Sequence, residues 1–421
     1  MFRFLTAGES HGKGLSVIVE GIPSGVELSE EYIDRDMARR QVGYGRGGRM
    51  LIETDHAEIL SGVRHGLTIG SPISMWIANK DWVTGKDPQG VPWQDVMAVR
   101  PTEAHFETIT KLRPGHADTT GSSKYMQADA RNILERSSAR ESAARVAAGA
   151  VARRFLEKFG VSVHGRVVAL GGIEADESTP IDWELLEEAS YHVDRPEGSK
   201  MAAVRCTDPK AASRMIETID AARDAGDSLG GIIEVVAEGL PIGLGSHIQW
   251  DRKLSTRLAA AVMSVNAVKG IEFGDGFHQA SLWGSQVHDV IAPFDSWDRN
   301  TDGSVRRPWP RRTNKSGGLE GGMTTGEPLV VRAVVKPIAT LINGLETADL
   351  VTGAHVSKAH FERSDITFVP TCAVIGEAMA AIVLAEAILE KFGGDHINET
   401  VRNWRSYLST VVPRSMVDLG S

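Results

Sequence analysis

Short alternating apolar segments and a few long runs of helical spacing share this chain, a combination that predicts a mixed α+β fold. Phe2, Phe4 and Leu5 precede, and Leu15 to Val19 follow, the polar stretch Gly8-Glu9-Ser10-His11-Gly12-Lys13-Gly14, which is therefore expected on a tight bend between two short strands. Helical spacing predicts helices over Tyr32 to Gln41, Ala143 to Phe159, Pro209 to Ala225, Ala259 to Val268 and Ala373 to Phe392. Strands are expected at Met50 to Thr54, Val161 to Val168, Gly231 to Glu238 and Leu329 to Val335.

Part of this pattern occurs twice. Gly14 to Glu20 with the turn Gly21-Ile22-Pro23-Ser24-Gly25 is echoed by Gly231 to Glu238 with Gly239-Leu240-Pro241-Ile242-Gly243. Each turn leads to an Asp-Arg pair expected to open a helix, Asp34-Arg35 and Asp251-Arg252. Leu156-Glu157-Lys158-Phe159-Gly160 and Leu389-Glu390-Lys391-Phe392-Gly393 each place a glycine where a helix C-cap requires one. The echoes keep the same order, so the expectation is a single domain of two similar α+β halves, about 1–225 and 226–421.

Composition narrows the setting. A chain of 421 residues has ample surface to bury a core. Its two cysteines, Cys206 and Cys372, lack metal-ligand spacing, so neither a disulfide framework nor a metal site is expected, and a cytoplasmic location fits. No apolar run reaching bilayer length is read, so no membrane partner is expected. The net charge of −9 argues against a general nucleic-acid binder while leaving local basic clusters free to hold small anions.

Those clusters surround glycine-rich bends. Gly8 and Gly12 enclose three residues where a P-loop needs four before its Gly-Lys, and Gly14 follows Lys13 where it needs Ser or Thr. The same stretch satisfies G-x-S-x-G, but seven residues before Gly8 cannot supply the central strand and oxyanion loop of a hydrolase elbow. Gly43, Gly45 and Gly48 satisfy G-x-G-x-x-G, yet this loop leaves a helix and enters a strand, the reverse of a dinucleotide fingerprint. What remains is a loop carrying Arg39, Arg40, Arg46 and Arg49, suited to paired hydrogen bonds with carboxylate or phosphate oxygens. In Leu134-Glu135-Arg136-Ser137-Ser138-Ala139-Arg140-Glu141, Ser138 and Glu141 are expected to form a capping box, and Arg136 and Arg140 flank a helix N-terminus that favours an anion. His116 stands on a turn in Arg113-Pro114-Gly115-His116-Ala117-Asp118, and the Arg- and Trp-rich stretch from Ser296 to Gly322 is expected as a lid over an anionic ligand.

Taken in order, Gly8-Glu9-Ser10-His11-Gly12, Arg136 to Glu141, and Arg363-Ser364-Asp365 with Gly376-Glu377 resemble the chorismate synthase family from end to end; the His116 and Lys336-Pro337-Ile338 segments agree. The resemblance implies long helices sandwiched between two mainly antiparallel sheets, a homotetramer, and an anti-1,4 elimination of phosphate from 5-enolpyruvylshikimate 3-phosphate that requires reduced FMN without net redox change. It implies catalytic roles for His11, His116 and Asp365. It also implies an FMN cradle of Arg136, Ser137, Ser138, Asn266, Ala267, Gly321, Lys336, Pro337, Ile338, Ala339, Thr340 and Arg363. Ser10, His11, Arg40, Arg46, Arg49, Ala139 and Arg140 are implied to bind substrate. No separate nicotinamide-binding unit is read, so NADPH is expected only as an indirect reductant, with an external flavin reductase as the supplier. The competing reading is an anion- or RNA-binding module without chemistry.

Overall fold

A computed structural model of the chain describes residues 2–46, 55–187, 197–299, 301, 305, 307–362 and 365–417. Arg49, Arg306, Arg363, Ser364 and the expected strand at 50–54 lie outside the described residues.

The strands are β1 (Arg3–Ala7), β2 (Gly14–Glu20), β3 (Glu58–Ile59), β4 (Ile73–Ala78), β5 (Ser162–Leu170), β6 (Ile173–Glu174), β7 (Gly231–Glu238), β8 (Val268–Phe273) and β9 (Leu329–Val335). They form a four-stranded sheet, β1-β2-β4-β3, and a five-stranded sheet, β8-β9-β7-β5-β6, with every pairing antiparallel. Alternation directs one face of each inward: Leu15, Val17 and Val19 of β2 with Ile73, Met75 and Ile77 of β4, and Ile233, Val235 and Ala237 of β7 with Leu329, Val331 and Ala333 of β9.

Between the sheets run α3 (Ser142–Leu156) and α6 (Val369–Phe392), flanked by α1 (Glu30–Gln41) and α5 (Leu254–Met263); in the chain α2 (Arg131–Ser137) precedes this pair, α4 (Pro209–Asp224) falls between its members and α7 (Ile397–Leu408) follows it. α6 is long and apolar enough to cross a bilayer, contrary to the expectation that no run is; nearly all of it is buried, because it is the central core helix. At Gly149 of α3 a Cβ would lie 2.3 Å from the Cβ of Ala378, so the two helices meet almost backbone to backbone. One residue earlier, Glu377 accepts from Arg39 (2.8 and 2.9 Å), from Arg205 (3.0 Å) and from the Gly165 N–H (2.7 Å). Asp36 and Arg153 complete this buried ion cluster, joining α1, α3, α6 and β5.

Local chemistry moved several boundaries. α1 begins at Glu30 because the Ser29 hydroxyl accepts from the Tyr32 N–H, which puts Asp34-Arg35 inside the helix. α5 starts earlier than expected and stops before Asn266, since Ala267 takes φ +70° and the chain turns into β8. The expected capping box does not form: Ser138 accepts from the Arg140 N–H, whereas the Glu141 carboxylate is drawn to Thr6 and Arg145. In the Arg- and Trp-rich stretch Trp297 is buried and donates to the Ala292 carbonyl, and Arg311 pairs with Glu320.

The two sheets share a strand order, β1-β2-β4-β3 matching β5-β7-β9-β8. The Gly-x-Pro-x-Gly turns match bond for bond. Thr68 Oγ1 donates to the Pro23 carbonyl (2.7 Å) and accepts from the Val26 N–H (2.9 Å), as Thr324 Oγ1 does with Pro241 (2.6 Å) and Leu244 (2.8 Å). We propose a duplication whose units run 3–156 and 162–392. A division near 225 would cut β5 and β6 away from β7, their partner in one sheet.

The helix contact can be tested with Gly149→Ala. Alanine ordinarily stabilises a helix by about 1 kcal/mol over glycine. Overpacking against Ala378 should reverse the sign, to a loss of about 1–3 kcal/mol in chemical denaturation. A raised midpoint would show that the helices do not touch there.

Candidate active site

The bend at residues 8–14 is held from both sides. Asn79, just past β4, donates from one amide nitrogen to the carbonyls of Glu9 (3.1 Å), Ser10 (3.2 Å) and Gly12 (2.8 Å). From α2, the Glu135 carbonyl accepts the Ser10 N–H (3.0 Å), and its carboxylate accepts the His11 N–H (2.7 Å) and bonds the ring at Nδ1 (2.9 Å). Trp93 stacks on the imidazole at 3.9 Å and 22°. Burial pushes the Glu135 carboxyl upward, but its bonds to His11 and the charge of Arg131 prevail and hold it below the usual carboxylate range.

A knot of guanidiniums adjoins this bend. Asp55 bridges Arg40 and Arg140, and Arg140 also donates to the Asn79 side-chain oxygen (2.9 Å). Two cations on one carboxylate leave the trio net positive. Burial, opposed by Asp55 and reinforced by Arg140 and Arg46, lowers the Arg40 guanidinium from its ordinary value. Among the described residues, Nη2 of Arg140 and Nε of Arg40 are buried without a hydrogen-bond partner, a costly arrangement for a buried donor. Arg46 pairs with Asp365 at 3.2 Å and bonds Thr371, whose hydroxyl donates to the Arg40 carbonyl. Ala139 occupies the one-turn helix between Ser138 and α3.

The second imidazole is oriented in the same manner. His116 Nδ1 lies 2.6 Å from Asp118 Oδ1, and Asp118 is buried and bonded by Arg113 (2.8 and 3.0 Å). Burial would raise the Asp118 carboxyl; His116 and Arg113 instead hold it far below the usual range. Arg113 donates onward to Thr340 Oγ1 (3.1 Å), and Lys336 Nζ donates to the Gly115 carbonyl (2.8 Å). Burial and the charge of Lys269 lower the Lys336 ammonium. Asn266 donates to the Ser137 carbonyl (2.8 Å), and the Ala267 carbonyl accepts the Lys336 N–H (2.9 Å). Ser137, Asn266, Ala267, Lys336, Thr340 and His116 are thus assembled in one place, with Pro337, Ile338 and Ala339 on the connecting segment.

Two cofactor assignments fall elsewhere. Arg136 donates to the Thr6 and Gly8 carbonyls at the end of β1, because those acceptors lie within its reach. Gly321 turns a hairpin at the N-terminal end of α5, where the Gly322 carbonyl accepts the Leu254 N–H. Asn266 follows the other end of that helix, about 15 Å away along its axis. Sequence reasoning missed Asn79, Trp93, Asp55, Arg113, Arg131 and Glu362. Glu135 stood in a quoted motif without a role, although its spacing of four from Arg131 marks a helical ion pair.

The antiparallel sandwich and two carboxylate-oriented imidazoles, set among guanidiniums, define an enzyme for anionic small molecules. A sequence model of the chorismate synthase family matches residues 2–389, and the chain belongs to that family. It is 50% identical over 418 residues to the chorismate synthase of Symbiobacterium thermophilum, covering 98% of this chain and 100% of the relative. It is 52% identical over 411 residues to that of Geobacter metallireducens, covering 97% and 98%. A crystal structure of chorismate synthase superposes with a TM-score of 0.70 at 40% identity, covering 97% of this chain and 98% of that one. A non-catalytic RNA- or anion-binding module is not favoured.

Two measurements probe the support of the site. Asn79→Ala strands three carbonyls and should cost about 1–3 kcal/mol in denaturation, the price of buried groups left unpaired. Asn79→Asp should not rescue it, since a carboxylate cannot donate; full rescue would place the role in the Arg140 contact. Glu362 tests acid behaviour. Burial pushes its carboxyl up, but His360 and Arg131 outweigh this and hold it at about 2, against 4.5 when unperturbed. Its stabilising contribution is complete above pH 4.5 and is lost as the pH falls toward 2. The stability gap between the native chain and Glu362→Gln should therefore shrink across that window; a constant gap in urea midpoints would reject the pairing.

Proposed function

We propose that this chain converts 5-enolpyruvylshikimate 3-phosphate to chorismate by anti-1,4 elimination, in the cytoplasm and as a homotetramer, with reduced FMN supplied by an external flavin reductase. NADPH enters only through that reductase. The observation that carries the reading is His11, held by Glu135 beside the net-positive Arg40–Asp55–Arg140 knot. In the reaction a ring C–H bond and the C–O bond to phosphate are broken, and a second ring double bond forms. The departing phosphate needs a proton or a positive charge, and the imidazolium of His11 is assigned that role. The guanidiniums of Arg40, Arg46 and Arg140 bind the substrate's carboxylates and phosphate.

The chain also fits a phosphorylated cofactor. The amines of Lys336 and Lys269 repel one another. An anion placed there would relieve it. Ser137, Ser138, Asn266, Ala267, Lys336, Pro337, Ile338, Ala339 and Thr340 would hold FMN, with Arg363, Arg136 and Gly321 as further candidates. When bound, the reduced flavin supplies electron density to the breaking C–O bond and is not consumed. His116, oriented through Nδ1 by Asp118, holds the proton that keeps the flavin in its reactive form. Asp365 would assist removal of the ring proton beside the bound cofactor.

The test is an anaerobic assay with chemically reduced FMN, following release of phosphate and formation of chorismate. His11→Ala should lower turnover by about 10²- to 10⁴-fold while binding of the substrate falls much less. Asp365→Ala should bind both ligands yet fail to turn over. Normal turnover per folded molecule in either variant rejects the role assigned to that residue.

A further inference from the structure

We infer that Glu135 is the positioning residue that fixes the ring tautomer of His11, with Arg131 and Glu362 holding its carboxylate in place. The inference rests on the reading of His11 as the proton donor to the leaving phosphate.

Glu135 is buried and receives three donors from two directions. Oε2 accepts the His11 backbone N–H at 2.7 Å; Oε1 meets His11 Nδ1 at 2.9 Å and accepts from Arg131 Nη1 at 3.0 Å. A carboxylate has acceptor sites for all three and no proton of its own to offer. The ring is therefore compelled to present Nδ1–H to Glu135 whether it is neutral or positive. Proton exchange with a ligand then passes through Nε2. Trp93, stacked at 3.9 Å, fixes the plane in which that nitrogen lies.

The carboxylate is itself held. Arg131 divides its guanidinium between Glu135 and Glu362, whose Oε1 is 3.2 Å from Nη2, and Glu362 in turn lies 3.3 Å from His360 Nε2. Carboxylate and guanidinium alternate between the two imidazoles, so Glu135, Arg131 and Glu362 each stabilise the charge of the next. Arg131 also sits 5.1 Å over the Trp93 ring, which ties the stacking partner of His11 to the same guanidinium.

A glutamine at 135 would break this logic without changing shape. Its amide has one acceptor oxygen. If that oxygen keeps the backbone N–H, the NH₂ group faces the ring and donates to Nδ1, forcing the Nε2–H tautomer and opposing a positive ring. If the amide turns over, the NH₂ group meets the His11 N–H and the bend is lost.

The experiment records ¹⁵N chemical shifts of histidine-labelled full-length protein at a pH where the ring is neutral, with His11 assigned from a His11→Gln spectrum. The native chain should show protonated, pyrrole-type Nδ1. Glu135→Gln should show pyridine-type Nδ1, with kcat reduced about 10²- to 10⁴-fold and KM changed less than about threefold. Glu135→Asp keeps two acceptors and should retain the native tautomer and recover part of kcat. A native ring protonated at Nε2, or a Glu135→Gln spectrum identical to the native one, overturns the inference; the first needs no variant to fold. If His11→Ala turns over normally, the donor role of His11 fails, while the nitrogen shifts still decide separately whether Glu135 sets the tautomer.

Discussion

Everything in this fold depends on how closely α3 and α6 approach. Gly149 and the alanines around it remove the side-chain bulk that would hold the helices apart, and both sheets close on the pair that results. So close a contact leaves no room for water, yet α1, α3 and β5 meet the same pair through charged residues. The solution is stoichiometric: Arg39, Arg153 and Arg205 face Asp36, Glu187 and Glu377, three charges of each sign. Such clusters gain little net stability over apolar packing, but removal of one member strands a buried charge. Arg205 shows the strain of the arrangement, since burial and the nearby Arg39 lower its guanidinium to about 10. The ions therefore specify register between α1 and the central pair, and the register fixes where Arg40, the next residue along α1, enters the site.

The site uses the same device with a different balance. In the core cluster each cation has its anion, whereas Asp55 is shared by two arginines and the Lys336 ammonium feels the like charge of Lys269. Positive charge is thus held in excess where anionic ligands are proposed to bind and is cancelled elsewhere. The net charge of the whole chain, −9, conceals this because the excess is local.

Much of the fold was legible because it rests on local signals: alternation in β2, β7 and β9, helical spacing in α3, α4 and α6, and the glycines that end helices. The strand order that equates the two sheets was not, because pairing β5 with β7 across the boundary expected near residue 225 is a long-range event that no local window reports. In the candidate site, the sequence names residues that motifs carry and is silent on those that hold them in place. His11 stands out between glycines, while Asn79 is an unremarkable polar residue after a strand, and its grip on three carbonyls exists only once β4 lies beside the bend. Trp93 carries no motif in the sequence; only the structure buries it and places its face on the imidazole.

The two imidazoles show why carboxylates, rather than neutral acceptors, stand behind them. His11 and His116 each meet a buried carboxylate at Nδ1, and each carboxylate is gripped by an arginine, Arg131 for Glu135 and Arg113 for Asp118. A carboxylate alone in a buried site would tend to take up a proton and lose its hold on the ring. The arginine removes that tendency; Arg131 pairs further with Glu362, and Arg113 donates a hydrogen bond to the Thr340 hydroxyl. The difference has a consequence for how the two rings are coupled to the rest of the chain. The His11 line runs through Glu362 to the segment that leads to Asp365, whereas the His116 line ends on the segment assigned to the cofactor. Each imidazole is thus tied through its arginine to a second segment of the candidate site.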